Sequence, residues 1–214
     1  MKLYHSPGAC SLATHVLLRE IGGRFELIPI STAMAENRTP EYLRINPRGR
    51  VPALEERGEV HTESAALLTW LAMAHPGPGL LPDSGTPELA RCLEWVAWFS
   101  TSLHVAYLQH WRPERHVGDA AATADLTQYA LRLITDMNRE VEERLTGPWF
   151  VGEGYSIADI YALVFYGWGH RLGLPMTNEY PRWSEWARRM VARPAVGQAI
   201  AHERIESWYP AVPG

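Results

Sequence analysis

A lone thiol placed at the start of a helix is the first feature of this chain with a chemical reason to be where it is. In Ser6-Pro7-Gly8-Ala9-Cys10-Ser11, Cys10 falls at or just before the first turn of a helical run, Ser11–Ile21. The backbone N–H groups of a first turn are unpaired, and the helix dipole adds about half a positive charge. Both favour thiolate, so a cysteine here is expected to titrate well below the ordinary ~8.5, with Pro7 and Gly8 making the turn that presents it. The alternative is that Cys10 is a small buried hydrophobe. Cys92, inside a helix among Leu89, Leu93 and Trp95, reads as core.

Two further stretches carry groups that suit a peptide ligand. Asn46-Pro47-Arg48-Gly49-Arg50-Val51-Pro52 leads into a strand, and Pro52 removes one ladder donor. A cis Val51–Pro52 bond would turn the Val51 backbone outward, free to pair with an extended peptide as an added strand; a trans bond would leave a simple strand edge. Glu63 and Ser64 open a helix. The hydroxyl and N–H of Ser64 form a carboxylate site and Glu63 could hold an ammonium group; the alternative is an ordinary helix cap. Ser156-Ile157-Ala158-Asp159 reads as a structural capping box, with Asp where Glu or Gln is usual.

The elements that must position these groups change in kind along the chain. Lys2–His5 reads as a strand, Ser11–Ile21 as a helix stopped by Gly22-Gly23, and Phe25–Ile30 as a second strand. Pro40–Arg44 is a short helix, Val51–Glu55 and Glu59–Thr62 a hairpin around Arg57-Gly58, and Glu63–His75 a helix. The order β-α-β-α-β-β-α implies a parallel pair from the βαβ unit and an antiparallel pair from the hairpin. Residues 75–88, HPGPGLLPDSGTPE, have no periodicity and read as a linker. Beyond it the strand signal stops. One helix runs from Pro87 to before Pro113 on Leu89, Leu93, Val96, Ser100, Leu103 and Tyr107. Others follow at Asp125–Leu145, Ser156–Leu172 and Trp183–Ala192, with a short one from Pro194. The expected domains are 1–76, a linker 77–86 and an all-helical unit 87–214.

Composition narrows the function classes. Hydrophobic residues at 46% and charged residues at 21% suit a folded globular chain of 214 residues. A net charge of −4 with no basic block gives no bias towards nucleic acid or an anionic membrane surface. No apolar run approaches the ~18 residues of a membrane span. The chain opens directly on a strand pattern, which with two cysteines points to the cytoplasm. The nine histidines are scattered, and no CxxC, HExxH or Cys/His cluster has metal spacing, so no metal is expected.

Taken together, SPGACSLATHVLLREIG, NPRGRVPALEERG and TESAALLTWLA resemble the bacterial beta class of glutathione transferases, and SIADIYA resembles the capping box of that family's central helix. The resemblance implies an α+β thioredoxin-like N-terminal domain followed by an all-α domain. It implies glutathione as co-substrate, held in extended form, with Val51 on its cysteinyl backbone, Pro52 cis, and Glu63 and Ser64 on its γ-glutamyl end. Cys10 would lie against the glutathione sulfur. His104 matches a family histidine that reaches the sulfur region, with Thr101 one turn earlier; alone it would be a polar residue on a helix face. Val105 and Ala97 replace a family lysine and asparagine, and residues 32–36 lack the usual lysine. Arg50, then Arg48, is the candidate cation for the glycyl carboxylate. Tyr107, Trp111 and Trp168 are candidate walls of the electrophile site, or else core. The implied activity is conjugation of glutathione to small hydrophobic electrophiles, a detoxification reaction, in a homodimer, with thiol–disulfide exchange through Cys10. The alternative is a non-catalytic protein of the same fold that binds ligands or partners.

Overall fold

The computed structural model describes residues 1–211. Its N-terminal domain runs β1 (Lys2–His5), α1 (Ser11–Glu20), β2 (Glu26–Pro29), α2 (Pro40–Ile45), β3 (Ala53–Glu56), β4 (Glu59–Thr62) and α3 (Ser64–Ala74). This is the expected thioredoxin-like order, with strand and helix ends shifted by one or two residues. The sheet order is β2-β1-β3-β4. The α1 crossover makes β1 and β2 parallel, with Leu3 opposite Leu27. β3 is antiparallel to both β1 and β4, with Leu54 opposite Leu3 and His61. The tight β3–β4 turn has positive φ at both Arg57 (53°) and Gly58 (83°), as a twisted two-residue hairpin demands.

The helical domain comprises α4 (Pro87–Trp98), α5 (His104–Trp111), α6 (Ala120–Arg144), α7 (Ile157–Arg171), α8 (Met176–Glu179), α9 (Pro181–Val191) and α10 (Pro194–Glu203). Three of its features correct the sequence reading. The expected single helix from Pro87 is broken by a π-helical turn at Phe99–Leu103. The buried face is therefore Cys92, Trp95, Val96 and Phe99, while Leu93 is exposed. The long α6 starts five residues before the expected Asp125, because Asp119 caps it by accepting from Ala122 N at 2.9 Å. The single-turn helices at Pro113–Arg115, Met176–Glu179 and Glu206–Trp208 are too short to show a period.

α7 is buried from Ile157 to Gly169 and forms the centre of the helical domain. Its capping box is complete. Asp159 accepts from Ser156 N at 2.9 Å, and its other oxygen accepts from Phe150 N at 3.0 Å and Trp186 Nε1 at 2.8 Å. The shorter acid thus reaches its cap and also ties the preceding loop and α9 to the start of α7. Burial still pushes its carboxyl up to about 6.

The two domains share α1, which packs on α3 on one side and on α7 and α10 on the other. A polar clamp fixes this junction. Glu203, buried at the end of α10, accepts from Gly8 N at 2.8 Å and from His15 Nδ1 at 2.9 Å, and His5 Nδ1 lies 3.5 Å away. Arg19 Nε donates to His15 Nε2 at 2.9 Å, which places the imidazole proton on Nδ1, facing Glu203. Burial pushes the Glu203 carboxyl up, but the bonds from His15 and Gly8, with the His5 ring close by, outweigh it and hold the group below its usual range. A carboxylate held low contributes stability that is present above the unfolded pKa and lost as pH falls through the folded one. Glu203→Ala is expected to cost about 2–4 kcal/mol by leaving buried donors unpaired. A thermal scan at pH 7 should show a Tm lower by roughly 5–15 °C, and that difference should shrink in acid.

Candidate active site

The loop before α1 holds Cys10 in one place. Ser11 Oγ accepts from Ser6 N at 3.1 Å and donates to Ser6 O at 3.2 Å. Gly8 has φ +67°, and the Trp208 ring occupies the space a Cβ would need. Trp168 Nε1 donates to Gly8 O at 2.7 Å, while Glu203 takes Gly8 N. Both polar groups of Gly8 are thus held by the helical domain.

Cys10 Sγ donates to the carbonyl of Val51 at 3.2 Å and is 8% exposed. Burial pushes its thiol up to about 11. The Ser64 hydroxyl, the Cys10 backbone N–H and Arg50 pull the other way, and Glu63 adds to the rise. This corrects the expectation of an easily ionised thiol. The helix start is present, but desolvation of a closed pocket and an acceptor that favours the protonated form outweigh it.

The other expected groups are placed as follows. The Val51–Pro52 bond is cis, and the Val51 N–H makes no hydrogen bond among the described residues. Glu63 stands at the start of α3 with φ 71°, a conformation that costs a non-glycine residue about 1–3 kcal/mol and concentrates at functional sites. Its exposed side chain does not cap the helix, so that alternative fails; it lies 3.9 Å from Arg48 Nη1. Ser64 is buried, and its hydroxyl acts on both Cys10 and Tyr161. Arg50 is exposed, and its charge reaches both Cys10 and His104. Arg48 instead donates to Thr62 Oγ1 at 3.1 Å.

His104 follows the π turn, and its ring meets Trp168 edge-on at 5.3 Å. Burial, helped by Arg50, brings its pKa down to about 4, so the imidazole is neutral at neutral pH. Thr101 lies within the π turn and its hydroxyl donates to Ala97 O at 3.0 Å. A π turn widens the angle between residues three apart, so the straight-helix spacing expected between Thr101 and His104 is altered here. Of the expected electrophile walls, Trp111 is partly exposed, and Trp168 is 5% exposed with its indole N–H spent on Gly8. Tyr107 is fully buried, packed 5.1 Å from Trp111 and 5.3 Å from Trp168. It is core beneath the wall and presents no surface to a ligand.

Tyr161, Ser100 and Glu203 are not among the site residues expected from the sequence. Tyr161 on α7 is 1% exposed, receives a bond from Ser100 Oγ at 3.2 Å, and its hydroxyl lies in the field of Cys10 and within hydrogen-bonding influence of Ser64. A tyrosine inside an otherwise apolar helix is the only local signal for it. Among the described residues no group of three or more His, Cys, Asp or Glu could hold a metal ion, and no helix is long and apolar enough to cross a membrane.

With this geometry in hand, comparison with known proteins fixes the family. The family model described as glutathione S-transferase, N-terminal domain, matches residues 1–73, and the one described as glutathione S-transferase, C-terminal domain, matches 109–194. The disulfide-bond oxidoreductase YfcG of Escherichia coli is 30% identical over 95% of each chain. A glutathione transferase homologue from Sulfitobacter, solved with bound glutathione, superposes with a TM-score of 0.89 at 30% identity over 94% of this chain and 97% of its own. The beta-class enzyme of Sphingomonas chungbukensis superposes at 0.83 and 32% identity over 96% and 100%. The chain belongs to the glutathione S-transferase family and is a transferase; the likeness to its bacterial beta class read from the motifs is borne out.

The raised Cys10 pKa has a direct readout. Alkylation by iodoacetamide in the absence of glutathione should be slow at pH 7 and rise about tenfold per pH unit towards pH 11. Peptide mapping separates Cys10 from Cys92. A rate that levels off below about pH 8 would show a thiolate far more stable than this pocket allows.

Proposed function

We propose that this transferase joins the thiol of glutathione to small hydrophobic electrophiles and, through Cys10, exchanges glutathione with disulfides. The observation that carries the reading is the grouping of buried Cys10 against the Val51 carbonyl, beside the unpaired Val51 N–H, with buried Ser64 at the start of α3 and exposed Arg50 both acting on the thiol. An extended peptide fits that set. Its cysteinyl backbone pairs with Val51 beside Pro52, its γ-glutamyl end meets Glu63 and Ser64, and its glycyl carboxylate meets Arg50. The bound-glutathione relative supports the ligand, and the oxidoreductase relative supports exchange.

Conjugation needs stabilisation of the glutathione thiolate. Cys10, being protonated at neutral pH, serves as a hydrogen-bond donor that turns from the Val51 carbonyl to the ligand sulfur, and neutral His104 offers a second N–H. Thr101 borders this region. In exchange the Cys10 thiolate attacks a glutathionyl disulfide. One S–S bond forms, the other breaks, and the leaving thiolate takes up the proton that Cys10 lost. Trp111 and Trp168 border the electrophile. The reading includes cytoplasmic residence, a detoxification role and a homodimer, for which exposed Met73, Leu93 and Tyr129 offer apolar surface.

A second reading has one observation in its favour. A thiol pushed up to about 11 is a poor nucleophile at rest, as in a protein that binds glutathione and turns over little. Intact-mass spectrometry with oxidised glutathione, beside a conjugation assay with a chlorodinitrobenzene, separates the two. A reducible adduct on Cys10 together with turnover supports the transferase reading; binding without either supports the other.

Two substitutions refine this. Cys10→Ala is expected to abolish exchange nearly completely and to leave part of the conjugation rate; equal loss of both would remove the division of roles. Ser64→Ala is expected to weaken glutathione binding by about 1–3 kcal/mol, the worth of a hydrogen bond to a charged group. An unchanged Kd by calorimetry would take Ser64 out of the site.

A further inference from the structure

Five exposed arginines near the site have no carboxylate within salt-bridge distance. Arg38, Arg50, Arg112, Arg115 and Arg171 are exposed, and none lies within 4 Å of a carboxylate among the described residues. Of the other arginines, Arg91 and Arg144 pair with Glu94, Arg188 with Glu185 and Arg193 with Glu20, while Arg24, Arg57, Arg132 and Arg204 are also without a carboxylate within 4 Å among the described residues; what distinguishes the five is that they feel one another's charge beside the aromatic border. In a chain of net charge −4 this is a local reversal of sign.

The five fall into two groups. Arg38 and Arg50 belong to the N-terminal domain; the Arg38 guanidinium lies beside Gly49. Arg112 follows α5, Arg115 ends the turn Pro113–Arg115, and Arg171 ends α7. Arg171 stands 4.7 Å over the Trp111 ring and 5.4 Å from that of Trp208. Trp111 lies 5.0 Å from Trp168, which in turn contacts His104 at 5.3 Å. An unbroken run of side chains thus joins the sulfur region to the arginines. Their charges are felt mutually: burial lowers the Arg115 pKa, and so do Arg38, Arg112 and Arg50, against Glu114 alone. Burial and then Arg112 lower that of Arg171. Like charges held together with one exposed carboxylate against them are unfavourable, and an oxyanion among planar guanidiniums relieves this with charge-assisted, bidentate bonds.

We propose that the second substrate is an aromatic electrophile bearing an oxyanion, a carboxylate or sulfonate, with its ring beside Trp111 and its charge held by Arg112, Arg115 and Arg171. This rests on the transferase reading above and narrows its electrophile from hydrophobic to acidic and aromatic. Arg50, on the N-terminal domain, stays with glutathione. The reaction is substitution on the ring. A bond forms between the glutathione sulfur and a ring carbon, the carbon–chlorine bond breaks, chloride leaves with the electron pair, and the thiol proton passes to solvent.

The test compares 4-chloro-3,5-dinitrobenzoate with its carboxamide, each kcat/KM divided by the uncatalysed rate constant with glutathione. The carboxylate is expected to be favoured about tenfold to hundredfold, mostly through KM. The preference should fall towards one in Arg171→Gln and Arg115→Gln, survive in part in Arg171→Lys, and weaken as salt rises to about 0.5 M. Comparable turnover of both compounds by the wild-type protein, or a carboxylate preference untouched by the arginine substitutions, would overturn the proposal and leave the transferase reading standing. No turnover of either compound by protein that binds glutathione would remove the transferase reading, and the proposal with it.

Discussion

The site depends on the backbone of one glycine. Gly8 donates its N–H to Glu203 of α10, and its carbonyl accepts from Trp168 of α7, both in the helical domain. The thiol that follows two residues later belongs to the thioredoxin-like domain, yet its height and direction are set by the helical one. Glu203 is itself oriented by His15 of α1, so the helix that Cys10 opens and the loop before it share one anchor. A fold of two domains with so small a shared polar core has little freedom to separate them without dismantling the cysteine loop.

Desolvation is the common cause behind the site's electrostatics. It raises the Cys10 thiol and lowers His104, and both groups are neutral at neutral pH. The charged groups, Glu63, Arg50 and the arginines beyond, stand at the rim in water. The arrangement suits a ligand that brings its own charges at its ends and an ionisable sulfur at its middle. The buried neutral centre then acts through hydrogen bonds in a medium where they are strong.

Much of this was legible in the sequence, because local signals carried it. The strand and helix order, the capping box at Ser156 and the unusual stretch at Val51-Pro52 are all written in neighbouring residues. The errors arose where burial decided the outcome. The helix-start argument for Cys10 was sound as local electrostatics and lost to a closed pocket that only tertiary structure creates. Tyr107 looked like a wall because aromatic residues look alike until their exposure is known. Glu203 could not be found at all: a glutamate in a short C-terminal helix gives no hint that it reaches a glycine 195 positions earlier.

The π turn at Phe99–Leu103 has a geometric consequence of its own. An extra residue in one turn sets the two halves of the helix out of phase by about 100°. Upstream, Trp95 and Phe99 meet Phe150 and Phe165 in the interior of the helical domain. Downstream, His104 and Trp111 meet Trp168 at its border with the cysteine loop. Phe165 touches both halves, against Phe99 before the turn and His104 after it, so the insertion pivots the helix about one ring and turns a single element from the apolar interior to the reactive border.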